Sequence, residues 1–502
     1  MPLGVRAYVS HLRNVGVAIV VAATSACGGG MFGSGAARLV PGAIAHGHAA
    51  SPIQHVVVIM QENRSFDNFF HDFPGAHGAT SGMGHGVKYP LQPVDLQFPQ
   101  DPIHSHWEFL EDLDGGKNDG FDREIYAFAG GQDCKADPQN HPKCWVWHQQ
   151  SVWEKMAYSY VKQAQIKPYW DMAKQYTLGD NTFSSNNGPT FVSHQYMVAG
   201  QSGHSSEVPT TMPWGCDAPK ELVYYLQYGS SKPPDFPPAV GNEQWGPDPC
   251  FPLDDKPSSA YPTIADSLDA AGVTWRYYVQ PHYKKGQPQD SYWLNAFDAV
   301  KAIRYGPDWT KDISTPDTKV LTDIANGKLQ QVSWVMPHGG ASDHAGGGSG
   351  NCGPNWVTSI VDAIGQSQYW NNTAIIIMWD EWGGWYDHVI PKQYPDPRTG
   401  VYEGLGYRVP LIVVSPYAKA GYISHKQHEV ASTLHYIEQT FGLPFLGTGS
   451  GYQYADQRAD AFDDIFDYTQ KPIAFTKIKS LPLRCKDAQY FLSRQWPEEI
   501  DY

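Results

Sequence analysis

The sequence predicts an α/β fold, a central, mostly parallel sheet sandwiched between helices, carrying long loop insertions. Five apolar runs have the unbroken hydrophobicity of strands buried on both faces: IQHVVVIM at 53–60, VTWRYYV at 273–279, QVSWVM at 331–336, AIIIMWD at 374–380 and PLIVVSP at 410–416. Helical patterns lie between them, and alternating helix and strand is the signature of a sheet covered on both faces. Two stretches, 71–150 and 200–260, are rich in Pro and Gly and fit neither pattern, which marks them as functional loops or caps.

Each element has its own justification. IADSLDAAG at 264–272 precedes the second strand, WVTSIVDAIGQS at 356–367 precedes the fourth, and HEVASTLHYIEQTFGL at 428–443 follows the fifth. In the last, Val430, Leu434, Ile437 and Phe441 share one helical face. The 502 residues are 41% apolar, ample for a large core around one sheet, with 17 Trp, 30 Tyr and 20 Phe. The 49 Gly and 39 Pro fit many ordered loops. The formal charge of −15 and the lack of a basic run argue against a nucleic-acid partner.

The N-terminus reads as an export signal over residues 1–27. Arg6 and Arg13 precede VGVAIVVAATSA, too short for a comfortable membrane span, and TSAC is a loose match to a lipoprotein cleavage box ending at Cys27. Residues 28–51, rich in Gly, Ala and His, are expected to be a flexible tether, and 52–502 a single catalytic body. Membrane contact is expected only through the export signal or a lipid on Cys27, and the expected location is periplasmic, secreted or anchored at the cell surface. The remaining cysteines, Cys134, Cys144, Cys216, Cys250, Cys352 and Cys485, suit disulfides in an oxidising compartment. Cys134 with Cys144 and Cys216 with Cys250 are the natural local pairs, among about 15 pairings that six cysteines allow.

Ligand sites in open α/β sheets form beyond the carboxyl ends of strands. After the first run come Glu62 and Asn63, whose two oxygens make half of a site for a hard cation; polar residues capping the next helix would look the same. After the fourth come Asp380 and Glu381, adjacent acids that cannot both be buried without a cation or an Arg. Gly383 and Gly384 then allow close backbone approach to a ligand, and Asp387 and His388 are further candidates, as ligand neighbours or as structural residues. The turn Gly188-Pro189-Thr190 puts a hydroxyl at a helix N-terminus, which suits a phosphoryl oxygen and, beside a metal, a nucleophile, though an ordinary Thr cap has the same spacing. Loop histidines and acids supply further candidates: His104, His106, Asp114, Asp119, His338, Asp343, His344, His425 and His428.

IQHVVVIMQENRSFDNFF, GGKNDGF, the GPT turn, SDHAG and IIIMWDEWGGWYDHV together resemble the bacterial phosphoesterase family of phosphocholine-type phospholipases C and related acid phosphatases, over about residues 53–470. In fold that family is similar to the alkaline-phosphatase superfamily. The resemblance implies one divalent metal ion (Ca, Mg, Mn or Zn) held by Glu62, Asn63, Thr190, Asp380 and Glu381. It implies Thr190 as nucleophile, forming a phosphothreonine, with His104 and Asp119 around the phosphate and His344 as proton donor or phosphate clamp. His282 is a weaker match. Where many members read PNR or PNH after the turn, this chain reads FVSHQ, with His194 as the stand-in for the last residue of that triplet; choline specificity is therefore not carried over. The implied substrate is a small phosphate mono- or diester or a phospholipid head group. The alternatives are a sulfate or phosphonate ester hydrolase, against which stands the missing C/S-x-P-x-R pattern of formylglycine sulfatases, and a non-catalytic cell-surface binding protein, against which stands the placing of most aromatics in strands and helices.

Overall fold

The computed structural model describes residues 51–493 apart from 99, 125, 129–154, 204, 210–213, 218–220, 225–242, 247–249, 252–260, 282, 285–286, 289–293, 347–350, 394–403 and 448–453. The expected export signal, all but the last residue of the tether, Cys134, Cys144 and His282 lie outside the described residues.

The architecture is α/β. Eight strands form the main sheet: β1 (His55–Gln61), β2 (Thr177–Gly179), β3 (Trp275–Tyr278), β4 (Ile313–Ser314), β5 (Val332–Val335), β6 (Thr373–Trp379), β7 (Leu411–Val414) and β8 (Tyr422–Ser424). Their order across the sheet is β4-β3-β5-β1-β6-β7-β2-β8. All five apolar runs are strands of this sheet. Only β7 runs against the rest, antiparallel to both β6 and β2. The run at 410–416 thus belongs to the reversed strand; its unbroken apolarity reports burial on both faces, which does not encode direction. The three strands that no apolar run announced, β2, β4 and β8, have two or three residues each.

Every residue of β5, β6 and β7 is buried, so both faces of the sheet are covered. After α1 (Phe66–Phe70) and α2 (His106–Leu113), the covering helices fall into two groups, the members of each in mutual contact. One contains α3 (Lys167–Gln175), α6 (Lys319–Ala325) and α7 (Gly353–Gly365); the other contains α4 (Thr190–Ala199), α5 (Ile264–Ala271) and α8 (Ser432–Phe441). α5 starts with a capping box between Thr263 and Asp266 and ends at Gly272 in the left-handed conformation. α8 buries Leu434 and Ile437 fully, as its periodicity predicts, but the helix starts only at Ser432, so buried Val430 precedes it, and Phe441 at its end is half-buried. Among the described residues no helix is long and apolar enough to cross a membrane.

Among the described residues two disulfides are present. Cys216–Cys250 is one of the two local pairs expected, and Cys352–Cys485 joins the N-cap of α7 to the C-terminal segment across 133 residues of chain. Closing so long a loop in the unfolded chain is worth about 4–5 kcal/mol. Cys485→Ser is therefore expected to lower the urea midpoint under oxidising conditions by a corresponding amount. An unchanged midpoint would mean that the bridge does not constrain the unfolded chain.

Candidate active site

The site begins with strand register. β1 and β6 pair in parallel from His55↔Thr373 to Gln61↔Trp379, so the two strands end level. The residues that follow, Glu62 and Asn63 from one and Asp380 and Glu381 from the other, are therefore brought side by side, and all four are buried. Asp380 Oδ1 accepts hydrogen bonds from the backbone N–H of Asn63 at 3.0 Å and of Glu381 at 2.8 Å, tying the tips together. Asn63 takes a left-handed backbone with φ 59°. Gly383 packs on it: a Cβ there would lie 2.2 Å from Asn63 O. Gly384 is likewise closed against Pro102, at 2.5 Å from a Cβ. The paired glycines thus permit close approach of protein to protein, not to a ligand as the sequence suggested.

α4 supplies the hydroxyl. Pro189 is its N-cap and makes no side-chain capping bond, so Thr190 occupies the first helical position with its hydroxyl released from capping duty. Thr190 Oγ1 lies 3.4 Å from Glu62 Oε2 and 3.5 Å from Asn63 Oδ1. All ten residues of α4 are buried, which fixes the helix and its first turn. One turn further on, His194 reaches the same cluster, with Nε2 at 3.4 Å from Glu62 Oε1 and 3.8 Å from Asp380 Oδ2.

His104 and His344 form the neighbouring wall. Asn63 Nδ2 and His104 Nε2 lie 2.8 Å apart, and His104 Nδ1 faces Pro102 O at 2.7 Å; a carbonyl only accepts, so Nδ1 carries a proton. Glu381 Oε1 is 3.7 Å from His104 Nε2, and Glu381 Oε2 accepts from Gly383 N. Glu381 therefore faces His104, while Glu62, His194 and Asp380 form the group whose donor atoms converge. The rings of His104 and His344 are 5.6 Å apart, edge to face. Asp101 Oδ1 stands 3.9 Å from Nδ1 of each. Asp101 gave no signal beyond lying three residues before His104.

Other candidates go elsewhere. Asp119 groups with His85 and Asp114 and shows no contact with Thr190. His106 turns to Asn187. His338 pairs with Asp317, and Asp343 with Tyr169 and Gln61. His425 meets Asp180 whereas His428 meets Asp460, so that HxxH is not one ligand pair. Asp387 forms a buried ion pair with Arg408, whose guanidinium also donates to the carbonyls of His77 and Asp180. Arg64 is likewise structural, donating to the carbonyls of Asp343 and Leu96 and so anchoring two loops behind the strand tip.

The electrostatics are severe. Burial and then Glu62 push the Asp380 carboxyl up to about 8, and burial with Asp380 holds Glu381 well above the ordinary range. Burial lowers His194, and its Nδ1 faces Leu294 O at 3.3 Å. A carbonyl only accepts, so Nδ1 carries the proton and the Nε2 lone pair points at two carboxylates. Asp380 Oδ2, Glu381 Oε1 and His194 Nε2 are buried without a hydrogen bond. Lone pairs and carboxylates facing one another in a buried site need a proton or a metal cation between them. The donor set of Glu62, Asp380 and His194, with the oxygens of Asn63 and Thr190 beside it, fits a divalent metal. Burial also lowers His344 to about 4, so it is neutral at neutral pH.

The phosphoesterase family profile matches residues 53–444. The hemolytic phospholipase C of Pseudomonas aeruginosa is 24% identical over 78% of this chain and 53% of its own length. Phospholipase C B of Mycobacterium tuberculosis is 24% identical over 78% of this chain and 74% of its own. The chain spans about half the length of several of the curated relatives it matches. Among solved structures, a protein in the alkaline phosphatase superfamily from Vibrio parahaemolyticus overlays with a TM-score of 0.34 at 8% identity, over 85% of this chain and 72% of that one, too loosely to carry an argument. With the profile covering most of its length, the chain belongs to the phosphoesterase family.

Proposed function

We propose that this chain is a metal-dependent phosphoesterase that hydrolyses phosphate mono- or diesters through a phosphothreonine at Thr190. The observation that carries the reading is the approach of Thr190 Oγ1 to Glu62 and Asn63 at the first turn of a buried helix, beside Asp380 and His194. Glu62, Asp380, Asn63 and Thr190 would hold the ion, with His194 as a nitrogen donor; the oxygen donors suit magnesium, calcium or manganese, and the imidazole shifts the preference toward zinc. When bound, such an ion offsets negative charge and favours the alkoxide of a nearby hydroxyl.

The chain's own residues do the rest. Thr190 Oγ1 gives its proton to Glu62 Oε2, toward which its O–H points, and attacks phosphorus as the P–O bond to the leaving alcohol breaks. The N–H groups of the first turn of α4 donate to the phosphoryl oxygens. His104 and His344 line the same cluster and bind the remaining phosphate oxygens; the phosphate's negative charge counters the desolvation that keeps His344 neutral, which suits it to protonate the leaving oxygen. Water then attacks the phosphothreonine, releasing phosphate or a phosphomonoester and restoring the hydroxyl. Asp119 is left out of this scheme because its contacts lie with His85 and Asp114.

The relatives named phospholipase C favour a phospholipid head group as substrate. The two disulfides suit the export that the N-terminal sequence suggests. Turnover of p-nitrophenyl phosphate and p-nitrophenyl phosphorylcholine, with and without chelator, tests the reading. Chelator-sensitive hydrolysis of at least one ester is expected, and activity on the diester alone identifies a phospholipase C. Failure to turn over either ester, with ligand binding retained, would favour a binding protein.

A further inference from the structure

A second pair of histidines lies outside the Thr190 cluster. His77 follows helix Phe66–Phe70, and His388 follows the glycine turn after β6. Their Nε2 atoms are 3.4 Å apart, with the rings edge to face at 85°. Two imidazole nitrogens on one tetrahedral divalent ion, each about 2.0–2.1 Å from it, are separated by about 3.3–3.4 Å. Behind the pair, Asp67 Oδ2 accepts a hydrogen bond from His388 Nδ1–H at 2.6 Å, so the neutral ring carries its lone pair on Nε2, where an ion would replace any second proton. A carboxylate behind an imidazole in this way orients a metal-binding histidine and raises its basicity.

The nearby carboxylates are not themselves the ligands. Asp67 Oδ1 accepts from Ala79 N and Arg408, and Asp67 Oδ2 from both the backbone and the ring of His388. Asp387 Oδ1 accepts from Arg408 and Val389 N, and Asp387 Oδ2 from Arg408 and Asp67 N. With all four oxygens occupied and Arg408 offsetting charge, the two Nε2 atoms are what the group offers to an ion. His77 is exposed and the His388 side chain is 20% exposed, so water can complete the coordination.

We propose that His77 and His388 bind a borderline divalent transition-metal ion, of which zinc is the type, through their Nε2 atoms. Imidazole ligation selects zinc, copper or nickel over calcium and magnesium. The test is zinc titration of the full chain against a chromophoric chelator, with wild type, His77→Ala and His388→Ala side by side. His77 is exposed, so its alanine variant keeps the fold. Wild type is expected to take up one more zinc per chain than either variant, while turnover of a soluble phosphate ester without added zinc stays the same. Equal zinc stoichiometry and affinity in wild type and His77→Ala would overturn the assignment.

Discussion

Thr190→Ala is expected to abolish ester hydrolysis, lowering kcat by about 10⁴ or more, the scale seen when a covalent nucleophile is removed. Folding should survive. Thr190 is not the cap of α4, so no capping bond is lost, and deleting one small buried group costs roughly 1 kcal/mol. Metal uptake should also survive, since Glu62, Asp380 and His194 remain. Thr190→Ser keeps an oxygen at the same place and should retain turnover within about tenfold, the discrimination expected of a methyl group. Steady-state kinetics, melting temperature and metal content measured on the same preparations separate a lost nucleophile from a lost fold. Full activity in a folded Ala variant would remove Thr190 from the mechanism.

The second large effect is at Asp380. Its folded pKa stands at about 8, far above the ordinary carboxylate value, because it is buried against Glu62. A group raised in this way contributes stability that is fully present below its unfolded pKa and is lost as pH rises through the folded one. The metal-stripped protein should therefore lose melting temperature as pH climbs from about 4 to about 8, and Glu381, raised by the same causes, acts in the same direction. A bound divalent ion replaces the proton and should reverse the loss. Asp380→Asn removes one of the facing charges. It should bind metal weakly, lower turnover by about 10³ or more, and yet melt higher than stripped wild type at pH 8, with a shallower pH dependence. Melting curves of both proteins with chelator and with added metal read all of this. A stripped wild type whose stability rises between pH 5 and 8 would contradict the repulsion on which the metal site rests.

Much of this was legible in the sequence because both halves of the site sit where unbroken apolar runs end. VVVIMQ and AIIIMW announce strands, and polar residues placed directly after them, Glu62, Asn63, Asp380 and Glu381, must fall at a sheet edge. That the two tips are neighbours depends on β1 pairing with β6, which periodicity does not encode. The family resemblance supplied that link. His194 was legible as a substitute within a motif, but its lone pair facing two carboxylates follows only from the Leu294 carbonyl a hundred residues away. Asp119 is placed by its turn: Gly120 N and His85 N bond to the backbone of Asp112 and Asp119 respectively, which sets its carboxylate beside His85 and Asp114, a grouping that the motif does not encode. The reversed direction of β7 was invisible because burial on both faces looks alike in either direction, and β2, β4 and β8 are too short to carry a period.

The stereochemical course at phosphorus tests the covalent threonine most directly. A substrate made chiral with oxygen isotopes and sulfur should react with overall retention, because attack by Thr190 and then by water inverts the centre twice. Inversion would mean that water displaces the leaving group in a single step, and Thr190 would then be a ligand and not a nucleophile.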